Sequence, residues 1–349
     1  MRCVSFRTYT GFRGKQMNQR FAGLRSLVET DHANICEIVA VKNGETVYED
    51  TWHGFAPTDA LNVMSVTKSV VSLLIGIAID RGMIDGVEQN VLDFFPEYVV
   101  RRGERTIRQV RIRHLLTMTA PYKYRSEPWA KICASPDWTR AALDILGGRN
   151  GITGEFKYST LGVQILSGIL TNASGMPVVE FANRCLFEPL GIPRHRNASV
   201  HDKEEQYGFL MSKAPQGDVW MADPKGVNTA GWGVCLSARD MARIGQMCLQ
   251  NGSFEGRRIV SSEWVGAMTE PRIACGQRFG NMSYGYLWWI VDGESPTYAA
   301  VGDGGNVIYA NPDADVVVAI TATFKPRVFD RIQFIQEHVE PLLMGAGND

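Results

Sequence analysis

The chain has 349 residues, of which 45% are hydrophobic and 21% are charged, and its formal net charge is −1. This composition is that of a folded globular protein and argues against intrinsic disorder. The near-zero charge and the lack of a run of five or six like charges give no reason to expect a nucleic-acid partner. Seven cysteines are scattered without the close pairing of a zinc site, so we expect reduced, mostly buried thiols.

Two segments bear on the cellular location. Residues 1–20 are polar and basic and lack the apolar stretch of a signal peptide, which predicts a cytoplasmic protein. The longest apolar run, Ser69 to Ile79, is shorter than the roughly 20 residues that span a bilayer. We therefore predict a core helix there and expect no membrane partner.

Both ends of the chain carry strand patterns. Near the start, Glu37–Lys42 is rich in β-branched residues and is followed by Asn43-Gly44, a strong hairpin turn, and by a second strand-like segment that ends at Glu49. Near the end, Asn306–Ala310 and Asp315–Thr321 flank another turn and precede a helical stretch over 327–343. Each end is thus predicted to contribute a hairpin.

Between about residues 87 and 223 the pattern changes to amphipathic helices with weak strand signals. The predicted helices there are Arg113–Thr119, Thr139–Leu146, Leu161–Asn172 and Pro177–Phe187. The sequence therefore predicts an α+β fold. An antiparallel sheet flanked by helices is formed by residues 1–86 and 224–349, and residues 87–223 form an inserted all-helical domain, with the ligand site in the crevice between them.

One pair of residues at the start of the apolar helix suggests chemistry. Ser65 and Lys68 are three residues apart and so share a helix face. A serine at a helix N-terminus lies beside unpaired N–H groups and the positive end of the helix dipole, which favour a developing oxyanion. A capping serine and a solvated lysine are the simpler alternative. However, the residues after Lys68 are apolar nearly all round, so this lysine needs a polar partner.

Three segments resemble the serine β-lactamase and penicillin-binding-protein superfamily: Leu61–Tyr98, Val110–Thr119 and Leu236–Gly245. The similarity runs from about Glu37 to Glu340 and is greatest for the class C β-lactamase-like group, which includes esterases and 6-aminohexanoate-dimer hydrolases. The resemblance implies a β-lactamase/transpeptidase-like fold and an acyl-enzyme mechanism without a metal or organic cofactor.

The resemblance also implies roles for the first two family motifs. Ser-x-x-Lys corresponds to Ser65 and Lys68, which makes Ser65 the nucleophile. Tyr-x-Asn corresponds to Tyr158-Ser159-Thr160, in which Thr160 replaces the usual asparagine. A phenol with a pKa near 10 can accept a proton at neutral pH only if a nearby cation lowers that pKa, and we expect Lys68 to be that cation. Taken alone, Tyr158 could equally be an ordinary amphipathic side chain.

The third family motif, Lys-Thr-Gly or His-Thr-Gly, falls on Ala300-Val301-Gly302 and lacks its basic residue. Because that residue helps to hold a substrate carboxylate, its absence disfavours penicillins and peptidoglycan peptides and favours esters or uncharged amides. The same alignment assigns the backbone N–H groups of Asp303 and Ser65 to the oxyanion hole. The Asp303 carboxylate could repel anionic substrates and attract an amine, or it could be a solvated turn residue, so the sequence leaves the substrate charge open.

Other candidate residues carry weaker signals. Trp232, between two glycines, could form an apolar wall for substrate, although core packing is the alternative. His195 and His201 are close in sequence but lack metal-site spacing, so we expect no metal. His114 lies in an apolar helical pattern and is interpreted as structural.

The leading hypothesis is a serine hydrolase that acts through an acyl-enzyme on a small-molecule ester or amide, with Ser65, Lys68 and Tyr158 as catalytic residues and no cofactor. Asp303, Thr160 and Trp232 are the candidate oxyanion or substrate-binding residues. The alternatives are a β-lactamase or D-amino-acid peptidase and a non-catalytic binding or sensing protein of penicillin-binding shape. The sequence makes no prediction of oligomeric state.

Overall fold

A computed structural model describes residues 20–291, 297–326 and 331–345. The N-terminal segment on which the cytoplasmic prediction rests lies outside these residues, apart from Arg20. The first four residues of the helix predicted over 327–343 also lie outside them.

An eight-stranded sheet, antiparallel throughout, forms the centre of the molecule. Its strands are β1 Ile35–Lys42, β2 Glu45–Thr51, β9 Ile273–Ala274, β10 Ser283–Tyr284, β11 Trp289–Ile290, β12 Tyr298–Gly302, β13 Asn306–Asn311 and β14 Val316–Ala322. They lie side by side in the order β2-β1-β14-β13-β12-β11-β10-β9. Three short pairs lie outside it, and their strands are β3 Leu61–Asn62 with β6 Cys235–Leu236, β4 Arg196–Ser199 with β5 Val219–Ala222, and β7 Ser253–Phe254 with β8 Arg257–Arg258.

Both predicted hairpins are confirmed, and they join in the same sheet. In the first, Asn43 and Gly44 take positive φ angles of 51° and 75°, the conformation that a tight hairpin turn requires. Strand β1 then pairs with β14, so that Ile38 lies opposite Ile320. The two ends of the chain therefore build one core, as their strand patterns predicted.

Helices cover the sheet. They are α1 Ala22–Asp31, α2 Val66–Asp80, α9 Ala238–Leu249, α10 Ser262–Thr269 and the C-terminal α11 Ile332–Phe334 and α12 Glu340–Met344, which are joined by a π turn over Ile335–Val339. Helix α9 packs on β1, β13 and β14, and Gly245 allows this close approach because a Cβ there would lie 2.6 Å from Val317 Cγ1. Strand β14 is buried at every residue, as expected for a strand covered on both faces.

The regular secondary structure of residues 87–223 is mainly helical, as predicted, but the region is not all-helical. The helices there are α3 Ile112–Leu116, α4 Trp129–Cys133, α5 Trp138–Ile145, α6 Gln164–Ser174, α7 Val178–Ala182 and α8 Lys203–Leu210. The parallel pair β4 and β5 is a departure from the all-helical prediction. Strand β4 is short, polar and largely exposed, and therefore lacks the hydrophobic alternation by which a strand is recognised.

The apolar run forms the predicted core helix, α2. Ser65 is its N-cap residue, and every residue from Val66 to Ala78 is buried. The helix packs against α6 and against β12, and so lies at the centre of the molecule. Among the described residues no single helix is long and apolar enough to cross a membrane, and only the bent pair Gln164–Ser174 and Val178–Leu190, with 72° between its members, passes on length and composition.

Candidate active site

Ser65 and Lys68 face each other at the start of α2. Lys68 is 1% exposed, whereas Ser65 is only partly buried. Lys68 Nζ donates a hydrogen bond to Ser65 Oγ across 2.8 Å. The shared helix face and the polar partner that the buried lysine requires are therefore both present, and the reading of Lys68 as a solvated side chain is wrong.

The turn before Ser65 is held in an uncommon conformation. Met64 has a φ of 50°, in the left-handed region that few non-glycine residues adopt. The Asn62 side-chain oxygen accepts hydrogen bonds from Met64 N–H and Gly233 N–H, each at 3.1 Å. This side chain thus ties the turn that presents Ser65 to the segment around Gly233.

The environment of Lys68 favours its neutral form. Its Nζ also donates to the backbone carbonyl of Gly231 across 2.7 Å. Burial lowers the pKa of Lys68 from 10.5 to about 7, although the charges of Asp303 and Glu127 partly oppose this shift. Near neutral pH a large fraction of Lys68 is therefore the free amine, which can accept the proton of Ser65.

Tyr158 lies on the other side of this pair. Lys68 Nζ is 5.0 Å from the centroid of its ring, and Ser65 lies near enough to its hydroxyl to influence the pKa of the phenol. The ring stacks on Trp289 with 5.8 Å between centroids and meets Phe279 at 6.4 Å. The structure thus brings together all three residues proposed as catalytic.

The expected lowering of the Tyr158 pKa is not found. Burial raises its pKa above the ordinary value of 10, and the neighbouring Ser65 hydroxyl opposes this only in part. The charges of Asp303 and Glu127 also disfavour a phenolate. The expectation was wrong because it assumed a charged lysine next to the ring, whereas burial favours the neutral amine of Lys68. Tyr158 is therefore a proton donor in the resting site.

The segment of the third motif lies on β12, an inner strand, beside the nucleophile. Ala300 is fully buried there. A Cβ on Gly302 would clash with the carbonyl of Val63 and would lie 3.1 Å from Ser65 N, so only glycine permits this approach. The chain continues into Asp303, whose side chain is exposed. The backbone of this segment thus runs beside the N–H of Ser65.

Thr160 and Trp232 both pack near the Lys68 partner, Gly231. A Cβ on Gly231 would lie 2.6 Å from Thr160 O, which shows how closely the two segments approach. Trp232 is only 3% exposed, and its ring lies 5.1 Å from that of Trp129 and 5.7 Å from that of Trp138. This burial favours the core-packing alternative for Trp232.

Sequence reasoning missed two contributors, the carbonyl of Gly231 and the side chain of Glu127. Glu127 Oε1 accepts hydrogen bonds from Ser159 Oγ at 2.8 Å and from Leu161 N at 2.9 Å, directly after Tyr158. A carboxylate on an irregular loop has no periodicity to mark it. The only sequence signal for the Gly231 carbonyl is the Gly231-Trp232-Gly233 cluster, in which the tryptophan is the more conspicuous candidate.

The described residues contain no group of three histidine, cysteine, aspartate or glutamate side chains that could hold a metal ion. His195 is buried, and its ring nitrogens Nδ1 and Nε2 lie 2.8 Å from Pro193 O and 2.6 Å from Cys235 O, respectively. His201 is exposed and pairs with Glu205. The polar groups at Ser65 are a nucleophile, an amine and a phenol, which suit acyl transfer.

The chain is similar to known proteins in sequence and in fold. The beta-lactamase family model matches residues 25–339. A 6-aminohexanoate-dimer hydrolase from Paenarthrobacter ureafaciens is 27% identical over 303 residues, which are 80% of this chain and 70% of that protein.

Solved structures show the same fold. A family VIII carboxylesterase has a TM-score of 0.66 at 16% identity, covering 96% of this chain and 97% of its own. The octameric penicillin-binding protein homologue from Pyrococcus abyssi has a TM-score of 0.64 at 20% identity, covering 88% of this chain and 73% of its own. Because the family model spans most of the sequence, the chain belongs to the beta-lactamase family.

Proposed function

We propose that this protein is a serine hydrolase that cleaves small-molecule esters or uncharged amides through an acyl-enzyme on Ser65. The observation that carries the proposal is the hydrogen bond of 2.8 Å between Ser65 Oγ and a fully buried lysine amine. Burial that brings the pKa of Lys68 to about 7 makes this amine a base at working pH, which a structural lysine on the surface would not be.

The reaction follows from the positions of the three groups. The Lys68 amine takes the proton of Ser65 as Oγ forms a bond to the substrate carbonyl carbon. The resulting oxyanion is held by the backbone N–H groups of Ser65 and Asp303. The neutral phenol of Tyr158 gives its proton to the leaving alcohol or amine, and the lysine ammonium re-protonates the phenolate. Water then attacks the acyl-enzyme by the same proton route and frees Ser65.

The site also supports a proposal for substrate charge. The position at which the family carries a lysine or histidine is Ala300, which is buried and offers no cation for a carboxylate. Both carboxylates that act on Lys68, those of Asp303 and Glu127, add negative charge. Anionic substrates are therefore disfavoured by repulsion, and neutral esters and amides are favoured. The names of the similar hydrolase and carboxylesterase agree with amide and ester chemistry, but a 6-aminohexanoate dimer itself carries a carboxylate, so the name of that hydrolase gives no support for a neutral substrate.

A non-catalytic binding protein is the second candidate, because Thr160 and Ala300 depart from the family motifs. The intact contacts among Ser65, Lys68 and Tyr158 favour the enzyme.

The cytoplasmic location expected from the N-terminal composition is part of the present proposal.

The test is labelling with a fluorophosphonate serine probe, followed by assays with p-nitrophenyl esters and nitrocefin. Native protein should be labelled at Ser65 and should turn over esters faster than nitrocefin. Ser65→Ala should abolish labelling, whereas Ser262→Ala, which alters an exposed serine elsewhere, should behave as native. Fast nitrocefin loss would favour a β-lactamase instead. If the native protein shows no labelling and no turnover, the result would favour the binding protein.

A further inference from the structure

The loop that carries Tyr158 is fixed by a polar network outside the catalytic group. Ser159 is fully buried, and its Oγ lies 2.8 Å from Glu127 Oε1 and 2.6 Å from the hydroxyl of Tyr124. The N–H of Gly162 also donates to this Oγ, across 2.8 Å. A buried hydroxyl with three partners positions the peptide that follows Tyr158 closely.

Glu127 is the acceptor at the base of this network. Its Oε1 accepts from Ser159 Oγ and from the N–H of Leu161. The Tyr124 hydroxyl lies 2.6 Å from Ser159 Oγ and 3.2 Å from Glu127 Oε1, and it has one hydrogen for these two acceptors. In one consistent assignment Ser159 donates to Glu127 and Tyr124 donates to Ser159 across the shorter distance. One carboxylate oxygen thus holds both ends of the segment from Ser159 to Leu161. Bonds to a charged acceptor are stronger than neutral ones, so this is a firm anchor.

The packing beneath the loop leaves little freedom. A Cβ on Gly162 would lie 2.6 Å from Ser159 Oγ, so no larger residue fits at this point. Before Tyr158, the N–H of Lys157 donates to Met118 O across 2.7 Å. Tyr158 is therefore held on both sides, by a backbone bond on one and by the Glu127 network on the other.

The charge of Glu127 also reaches the catalytic group. The titratable groups near Lys68 are Tyr158, whose ring centroid is 5.0 Å from Nζ, and two carboxylates whose charges act on it, Asp303 after β12 and Glu127 on the loop before α4. The negative charges of Asp303 and Glu127 both favour the ammonium form of Lys68. Removing the charge of Glu127 should therefore lower the pKa of Lys68, whereas removing an exposed carboxylate elsewhere should not.

From these contacts we propose that Glu127 is a positioning residue for the reaction: its carboxylate fixes the loop that presents Tyr158 to Ser65 and places a negative charge near Lys68. The proposal rests on the hydrolase function proposed above. Glu127 itself does not touch the reacting atoms.

Two variants separate geometry from charge. Glu127→Ala removes the anchor and should lower kcat for a p-nitrophenyl ester by about 30-fold or more, since small misplacements of catalytic groups are costly, while KM changes less than threefold. Glu127→Gln keeps an acceptor oxygen but loses the charge. It should lower kcat by less than about tenfold and move the ascending limb of the pH profile of kcat/KM to lower pH.

The matched control is Glu155→Gln, which removes an exposed carboxylate three residues before Tyr158 and should leave kcat and the pH profile as in the native protein. If Glu127→Ala does not fold, Ser159→Ala tests the same anchor with the charge retained. It should lower kcat by about tenfold with the limb unmoved.

The outcomes distinguish the two proposals. Suppose that the fluorophosphonate labels the native protein at Ser65 and that Glu127→Gln has the native kcat and the native ascending limb of the pH profile. This result would overturn the role of Glu127 and leave the hydrolase proposal intact. A loss of kcat in both Glu127 variants with no shift of the ascending limb would overturn the proposal as stated, because the charge of Glu127 would then not act on Lys68. Native protein with neither labelling nor ester turnover would overturn both.

Discussion

The two segments that meet at Ser65 are fixed by different forces. Helix α2, with Ser65 and Lys68, is surrounded by apolar side chains and owes its place to hydrophobic burial. The loop with Tyr158 has no regular secondary structure and is fixed by hydrogen bonds from Ser159 and Leu161 to Glu127 and from Lys157 to Met118. A helix placed by burial tolerates few changes in volume, whereas a loop placed by hydrogen bonds is sensitive to the loss of a single polar atom.

The largest expected effect is on the helix side of this comparison. Lys68→Ala removes the proposed base and should lower kcat/KM for a p-nitrophenyl ester by about 10³-fold, since general base catalysis contributes on this order. Lys213→Ala, which removes an exposed lysine, is the control and should keep native kinetics. Retention of more than a tenth of native activity in Lys68→Ala would contradict the assignment.

The close approach of β12 to α2 gives the next effect. Gly302→Ala places a Cβ against the carbonyl of Val63 and 3.1 Å from Ser65 N, so it should move the proposed oxyanion donors and lower kcat by about 10²-fold. Gly266→Ala, at an open position in α10, should change nothing. Equal kinetics in the two variants would show that the contact with Gly302 does not position the site.

The pH dependence of the native protein gives a smaller effect. Because burial lowers the pKa of Lys68 to about 7 and the base must be unprotonated, kcat/KM should rise with pH through about 7. One pH unit below this pKa it should be about tenfold lower than on the high-pH plateau. A profile that is flat between pH 5 and pH 9 would exclude Lys68 as the base.

The smallest effect on activity is expected from a buried carboxylate of the framework. Glu37 on β1 accepts hydrogen bonds from Ala238 N–H at 2.6 Å and Thr321 Oγ1 at 3.0 Å. Burial raises its pKa from 4.5 to about 8. The folded state thus keeps a proton that the unfolded state loses above about pH 4.5. The free energy of unfolding should therefore fall as pH rises from about 4.5 to about 8.

Glu37→Gln should remove this fall of the free energy of unfolding with rising pH. It should stabilise the protein at pH 8 by roughly 1–3 kcal/mol, with little change in ester turnover. Urea unfolding at pH 5 and pH 8 measures the slope, and Glu97→Gln, at an exposed position, serves as the control. A Glu37→Gln variant with the native slope would show that Glu37 does not cause it.

The difference between the two segments also explains what could be predicted from the sequence. The hairpins, the core helix and the pairing of Ser65 with Lys68 follow from local patterns, because the turn at Asn43 and the apolar run after Lys68 mark their own structure. The carbonyl of Gly231 and the carboxylate of Glu127 come from distant loops with no such pattern. The neutral Lys68 was missed for a related reason, since a pKa depends on the burial that only the folded protein defines.

The central claim, acyl transfer to Ser65, is tested most directly by trapping the intermediate. Native protein mixed with a p-nitrophenyl ester and quenched in acid within the first turnovers should gain the mass of one acyl group, and peptide mass spectrometry should place that group on Ser65. An acyl group on another residue, or steady ester turnover with no acylated protein at any quench time and no effect of Ser65→Ala, would contradict the account.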